Sequence, residues 1–200
     1  MNQRLQPTSG GWHSRGYLPH FDGGVIPQSI TFRLFDSLPE ILLKRWSYEL
    51  SHNRPESRDA ELRQRIEAYL DRGIGSVWLR NVRVATIVEN ALLFFDDQRY
   101  ALSAWVVMPN HTHFLATPLP GYALSRIIQS LKSYTSNEAN KVLKRRGPFW
   151  MPDYFDRYIR NEKHFAAAIA YIENNPVKAG LCRRPSDWRF SSARFRGDVG

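Results

Sequence analysis

The sequence predicts an α+β fold, one antiparallel sheet covered by helices, and three observations carry the prediction. Apolar residues alternate in short runs around "ITFRLF", "RYALSAWVVM" and "HTHFLATPL". Longer segments between them repeat apolar residues at spacings of three and four. Pro109-Asn110 joins two of the runs tightly enough for a hairpin.

The elements follow in order. The polar, Gly-rich residues 1–15 read as a loose arm. "GGVIPQSITFRLF" gives a strand around Ile30, Phe32 and Leu34, with Pro27 at its entrance. "LPEILLKRWSYELSH" and "ESRDAELRQRIEAYLDRG" read as helices separated at His52-Asn53-Arg54-Pro55. "SVWLRNVRVATIVENALLFFDDQR" reads as one longer helix, with Trp78, Val82, Ala85, Val88, Leu92 and Phe95 on its core face. After the hairpin, "ALSRIIQSLKSYTSNEANKVLKRR" is a helix with Leu124, Ile128, Leu131, Thr135 and Val142 on the buried stripe, ended by Gly147-Pro148.

A fourth strand fits "FWMPDYFDRYIR". A last helix begins at Asn161 as N-cap and turns Phe165, Ala168, Ile169 and Ile172 to the core. Strand, helices, strand, strand, helix, strand is the split β-α-β order of ferredoxin-like, RRM-like folds, here with extra helices in the first crossover and a further helix appended at the end.

Composition narrows the partners. Lys and Arg number 28 against 19 Asp and Glu, a net charge of +9 with a pI near 9.9, so a polyanion is the first partner to expect. One cysteine, Cys182, excludes an intrachain disulfide and any multi-cysteine zinc site. Neither a signal peptide nor an apolar run of the roughly 20 residues needed to span a bilayer is visible. The expectation is a cytoplasmic, nucleoid-associated protein without membrane contact.

Two patterns carry chemistry. In "AWVVMPNHTHFLATP", strand alternation sends His111 and His113 to one face and Thr112 to the other. That is a chelating geometry, although packed or surface histidines give the same pattern. On the last helix Tyr171 and Asn175 lie about 40° apart on one flank, beside the apolar stripe, where a packed tyrosine with its hydroxyl at the rim is the alternative. Pro176 disfavours helical torsions at Asn175 and is expected to end or kink the helix there. Tyr134 falls in line with Leu131 and Thr135 on a core stripe, whereas Tyr171 stands off its own stripe with an exposed hydroxyl. Tyr154 and Tyr158 read as packing or DNA-contacting aromatics of the fourth strand, and His164 as a surface residue. His13, His20 and His52 show no partner.

"VVMPNHTHFLATP", "GPFWMPDYFDRYIRNEKHF", "YIENNPVKAGL" and "RRPSDWRFSSARF" together resemble the single-tyrosine HUH transposases, specifically the REP-associated tyrosine transposases of bacteria. The resemblance implies a transposase domain over residues 16–182, followed by a basic tail over 183–200. It implies His111 and His113 as ligands of Mg²⁺ or Mn²⁺, Tyr171 as the nucleophile, and Asn175 as third ligand, with Glu138 as the other candidate for that place. It further implies cleavage and rejoining of single-stranded hairpin or palindromic DNA through a 5′-phosphotyrosine, by a monomer rather than a homodimer.

DNA contacts are expected from Lys141, Lys144, Arg145 and Arg146, and from Arg183, Arg184, Arg189, Arg194 and Arg196 interleaved with Trp188, Phe190 and Phe195. A solvated basic face is the alternative for each cluster. Two other classes fit the same residues: a nonenzymatic nucleic-acid-binding module, and a metal-dependent nuclease that activates water.

Overall fold

Alternation in the sequence becomes a two-faced sheet in the computed structural model, which describes residues 12–14, 19–21, 24–52 and 54–196. Strands β1 (Trp12–Ser14) and β2 (Pro19–Phe21) pair antiparallel, so part of the arm expected over residues 1–15 is a strand; the rest of that arm, residues 1–11 and 15, lies outside the described residues. Strand β3 (Gln28–Arg33) leads through helices α1 (Glu40–Glu49), α2 (Pro55–Asp71) and α3 (Val82–Phe94) to the hairpin of β4 (Tyr100–Val107) and β5 (His111–Pro118). Helix α4 (Leu124–Val142), strand β6 (Phe155–Tyr158) and helix α5 (Glu162–Lys178) follow. The main sheet has the order β4-β5-β3-β6 with every neighbouring pair antiparallel, which is the ferredoxin-like arrangement expected.

Each face of the sheet has its own core. Ile30, Phe32, Leu34, Trp105, Val107, Phe114 and Ala116 face α3 and α4 and pack against Val88, Leu92, Ile128 and Leu131. The opposite face carries Ala104, Val106 and Leu115 and meets Ala168 and Ile172 of α5. Burying each Leu, Ile, Val or Phe contributes about 1.5–3 kcal/mol, so the parity of every strand is strongly fixed. A bulge between Leu102 and Ala104 shifts that parity inside β4. A third cluster, Leu38, Leu50, Leu62, Ile66 and Leu70, holds α1 and α2 together and against Phe155. The turn after α2 is pinned by Gly75, where a Cβ would lie 2.6 Å from the Asp36 carbonyl oxygen at a φ of +86°.

Three local expectations are corrected. The long helix expected from Ser76 begins only at Val82: Asn81 caps it by accepting from the Arg83 N–H at 3.0 Å, and Trp78–Arg80 forms a separate 3₁₀ turn. Helix α4 stops at Val142, before Gly147-Pro148, and Lys144 just beyond takes a φ of 51°. Helix α5 runs through Pro176 to Lys178, and the Asn175 carbonyl still accepts from the Ala179 N–H at 3.0 Å, so Pro176 does not end it. The cap at Asn161 is as expected, its side chain accepting from the His164 N–H at 2.8 Å.

Residues 183–196 are packed onto the sheet edge. The Phe190 carbonyl accepts from Val107 N–H at 2.8 Å, Ser192 Oγ accepts from Trp105 N–H at 3.1 Å, and Trp188 Nε1 donates to the Val107 carbonyl at 3.0 Å. Strand β4 would otherwise present an unpaired edge, and this segment covers it. Among the described residues no helix is long and apolar enough to cross a membrane.

Candidate active site

The two histidines stand on the face covered by α5, as alternation requires. In the antiparallel register Thr31 lies opposite His113 and Arg33 opposite His111. Thr31 Oγ1 is thereby brought within 2.6 Å of His113 Nδ1. Asn110, fully buried at the hairpin, orients the other ring: its Nδ2 donates to the Leu70 carbonyl at 3.1 Å, which leaves Oδ1 to accept from His111 Nδ1 at 2.7 Å. A carbonyl cannot donate, so the amide orientation is fixed, and with it the His111 tautomer. The proton sits on Nδ1 and Nε2 keeps a bare lone pair.

That lone pair has no partner. His111 Nε2 is buried without a hydrogen bond, and so is Asn175 Oδ1. His113 Nε2 has only the Asn175 amide nitrogen, at 3.4 Å. The two rings stand 4.6 Å apart, nearly perpendicular. Burial holds His111 well below the usual imidazole range, reinforced by its neighbours His113 and Lys178; burial likewise lowers His113 to about 3, again with Lys178. Both rings are therefore neutral donors at neutral pH.

Leaving such acceptors unsatisfied costs about 1–3 kcal/mol each, and a bound cation would satisfy them together. Turning the Asn175 amide over places an oxygen, rather than N–H₂, toward His113 Nε2. Two imidazole nitrogens and one amide oxygen are a fitting donor set for Mn²⁺ or Mg²⁺ with remaining positions for water or phosphate oxygens. Among the described residues no group of three or more His, Cys, Asp or Glu forms a metal site.

Tyr171 completes the cluster one turn before Asn175. Its ring lies 5.6 Å from His113, nearly perpendicular, with Lys178 Nζ 5.7 Å above it. The exposed hydroxyl expected from the helix flank is corrected: the oxygen is buried and meets no partner in good hydrogen-bond geometry, facing the Glu67 carboxylate and the Asn175 amide. Burial first, then Glu67, holds the phenol far above its ordinary value. The reason is α2, whose C-terminal half covers this flank.

Tyr134, expected on a core stripe, is 54% exposed; Ile127, Ile128, Leu131 and Thr135 form that stripe without it. Glu138 pairs with Lys141 at 2.6 Å on α4, whose core lies on the opposite face of the sheet from the histidines. His20 is not partnerless: it is buried between Asp156 at 2.6 Å and Asp153 at 2.8 Å, with Tyr154 stacked on its ring at 4.2 Å. Tyr158 packs on Phe21 at 4.8 Å. His164 is half-buried at the start of α5, and the side chain of His13 lies outside the described residues.

The basic residues are scattered over other surfaces. Lys141, Lys144, Arg145 and Arg146 line an open hollow at the end of α4. Arg145 itself stacks on Trp78 at 3.8 Å and donates to Asn140 Oδ1 at 2.8 Å. In the tail Arg194 pairs with the buried Glu89 at 3.3 Å, Arg196 with Glu173 at 2.5 Å, and Arg184 with Asp187 at 3.2 Å. Arg189 lies 5.3 Å over Phe190, and Arg183 is exposed.

Sequence reasoning missed Thr31, Asn110 and Glu67. The first two had a signal, since one sits across the ladder from a histidine and the other precedes one at a turn. Glu67 had none, because only tertiary packing brings α2 to α5.

Known proteins resemble this chain in sequence and in fold. Residues 79–175 match the family described as transposase, IS200-like, a span that contains both histidines, Tyr171 and Asn175. Over this segment the chain is similar to the IS200-like transposases. A REP-associated tyrosine transposase of Escherichia coli (strain K12) is 34% identical over 105 residues, covering 52% of this chain and 59% of the relative. An uncharacterized protein of Haemophilus influenzae is 28% identical, covering 44% of this chain and 60% of that one. The chain thus spans about three-fifths of the length of these relatives. A solved structure of a REP-associated tyrosine transposase bound to a REP hairpin superposes with a TM-score of 0.60 at 21% identity, covering 91% of this chain and 84% of that one. At that identity the likeness speaks for the fold, and the segment similar to the IS200-like family, extended to Tyr158, supplies three of the main sheet's four strands, β4, β5 and β6.

Proposed function

We propose that this chain cleaves and rejoins single-stranded hairpin DNA of the REP type by attack of Tyr171 on a backbone phosphate, leaving a 5′-phosphotyrosine and a free 3′-hydroxyl. The observation that carries the reading is the convergence of His111 Nε2, His113 Nε2 and the Asn175 amide, all buried and short of partners, one helical turn from a tyrosine. The relative that matches half of this chain is a REP-associated tyrosine transposase, and the fold neighbour was solved on a REP hairpin.

The chemistry follows from these side chains. A neutral phenol is a weak nucleophile, so it needs an activated phosphate and a fixed line of attack. A divalent cation held by His111, His113 and Asn175 would polarise and orient the phosphate as a Lewis acid. Thr31 and Asn110 hold the imidazoles with their Nε2 atoms bare. The rigid step between Tyr171 and Asn175 fixes the nucleophile relative to that centre. Because one phosphoester replaces another, the bond energy is retained and the strand can be rejoined, which suits strand transfer rather than degradation. Lys144, Arg146 and Arg183 are exposed and would neutralise phosphates of a bound strand. The tyrosine helix packs on the histidine strand of its own chain, so a monomer is sufficient.

The test is incubation with labelled hairpin DNA and Mn²⁺, followed by a denaturing gel and peptide mapping. Wild type and Tyr134→Phe should form a covalent species mapped to residue 171; Tyr171→Phe should bind the hairpin and form none. Cleavage without an adduct would make the protein a water-activating nuclease, and binding without cleavage a recognition module. Either result overturns the proposal.

A further inference from the structure

Helix α5 runs unbroken through Pro176 to Lys178, and that continuity brings a cation to the site. Tyr171, Asn175 and Lys178 follow at steps of four and three residues, within about 60° of one another on one flank of the helix. A helical side chain leans back over the turn before its own Cα, so the long Lys178 stem reaches toward Tyr171. Its Nζ lies 5.7 Å from the centre of the Tyr171 ring. Asp71, at the end of α2 and only 11% exposed, holds the same Nζ at 2.8 Å, while half of the lysine side chain stays open to solvent. The charge is felt at both histidines, where it adds to burial in keeping the rings neutral. The ammonium is thus fixed beside the ring of the nucleophile, within electrostatic reach of the candidate metal ligands, and open on one side. Lys141, Lys144 and Arg146, by contrast, line a hollow at the end of α4, the helix packed on the other face of the sheet.

We propose that Lys178 binds the phosphate attacked by Tyr171, its ammonium contacting a non-bridging oxygen, with Asp71 as the positioning residue that holds it there. The inference rests on the strand-transfer reading above and names the side chain that meets the substrate's charge at the point of attack. A phosphodiester carries one negative charge, and during transfer that charge spreads over the oxygens around phosphorus. A cation already in place stabilises it there without reorganising. Three N–H donors let the ammonium meet a phosphate oxygen while keeping Asp71. Because Asp71 holds the lysine before DNA arrives, little side-chain freedom remains to be lost on binding. Lys178 makes and breaks no covalent bond in this role.

The test pairs a charge on the protein with a charge on the DNA. The scissile phosphate is first located by mapping the wild-type adduct on a labelled hairpin with Mn²⁺. Hairpins carrying a phosphodiester or an uncharged methylphosphonate at that position are then titrated, in EDTA, with wild type, Lys178→Gln, Lys178→Arg and Asp71→Asn. Wild type and Lys178→Arg should prefer the charged hairpin by about tenfold, the worth of one hydrogen bond to a charged group, and Lys178→Gln should bind the two within about twofold. Asp71→Asn should keep most of the preference, because the ammonium remains. On the ordinary hairpin with Mn²⁺, Lys178→Gln should form the adduct about 100-fold more slowly, the usual loss when one donor to a transition-state oxygen is removed. A mere strut between α2 and α5 would instead slow Lys178→Gln and Asp71→Asn alike and leave the preference for the charged hairpin as in wild type. That result overturns the proposal and leaves the strand-transfer reading intact. Absence of a Tyr171 adduct in wild type would remove that reading, and this one with it.

Discussion

Replacing Thr31 by Val is the sharpest probe of how the sheet prepares the histidine pair. Valine keeps the β-branched shape that suits a central strand and removes only the hydroxyl 2.6 Å from His113 Nδ1. His113 is 1% exposed, so water cannot replace the lost partner. An orphaned buried group costs about 1–3 kcal/mol, and urea denaturation should read a loss of that size. Removing a hydrogen bond that orients a metal-ligating imidazole weakens metal binding by about 10–100-fold. That corresponds to about 1.4–2.7 kcal/mol in affinity. The two effects share one cause: the ring, no longer held, turns to another arrangement and must be turned back when metal binds. The free energy that the ring recovers by turning away is subtracted from the stability loss and added to the affinity loss. Calorimetric titration with Mn²⁺ measures the first, and Thr31→Ser, which keeps the hydroxyl, should behave as wild type. A Thr31→Val protein that binds Mn²⁺ as tightly as wild type would refute the argument, as would a Thr31→Ser protein that binds it as weakly as Thr31→Val.

Two further outcomes are expected. Burial works against charge on His20, but hydrogen bonds to Asp153 and Asp156 outweigh it and raise the ring to about 9. Its stabilisation is fully present below pH 6.5 and is lost as pH rises from about 6.5 to 9, so the stability advantage of wild type over His20→Gln should shrink across that window by about 3 kcal/mol at most in urea melts; a constant difference would show that the ring is neutral. Truncation after Leu181 removes the segment bonded to Val107, Trp105 and Trp188's own carbonyl partner on β4, and should cost at least about 3 kcal/mol, roughly one per lost hydrogen bond, with self-association of the bared edge seen by light scattering. A truncated chain that stays monomeric and as stable as wild type would mean that the tail merely lies on the surface.

The sequence alone determined what local rules govern. Strand alternation put His111 and His113 on one face because side chains reverse at each residue, and no tertiary contact can change that parity without unburying Phe114 and Leu115 together. The four-residue step from Tyr171 to Asn175 is equally local, which is why those two positions and the split β-α-β order were legible before any coordinates. Tertiary structure decided the rest. Exposure of a helix flank depends on what packs there, and α2, distant in sequence, buries the Tyr171 hydroxyl while leaving Tyr134 in solvent. The partners of His20 come from a strand far along the chain, and the arginines of the tail meet Glu89 and Glu173 only because that segment folds back on β4. Periodicity fixes which way a side chain points from its own element; which group it meets there is set by packing between elements, and that is where Glu67 enters the site.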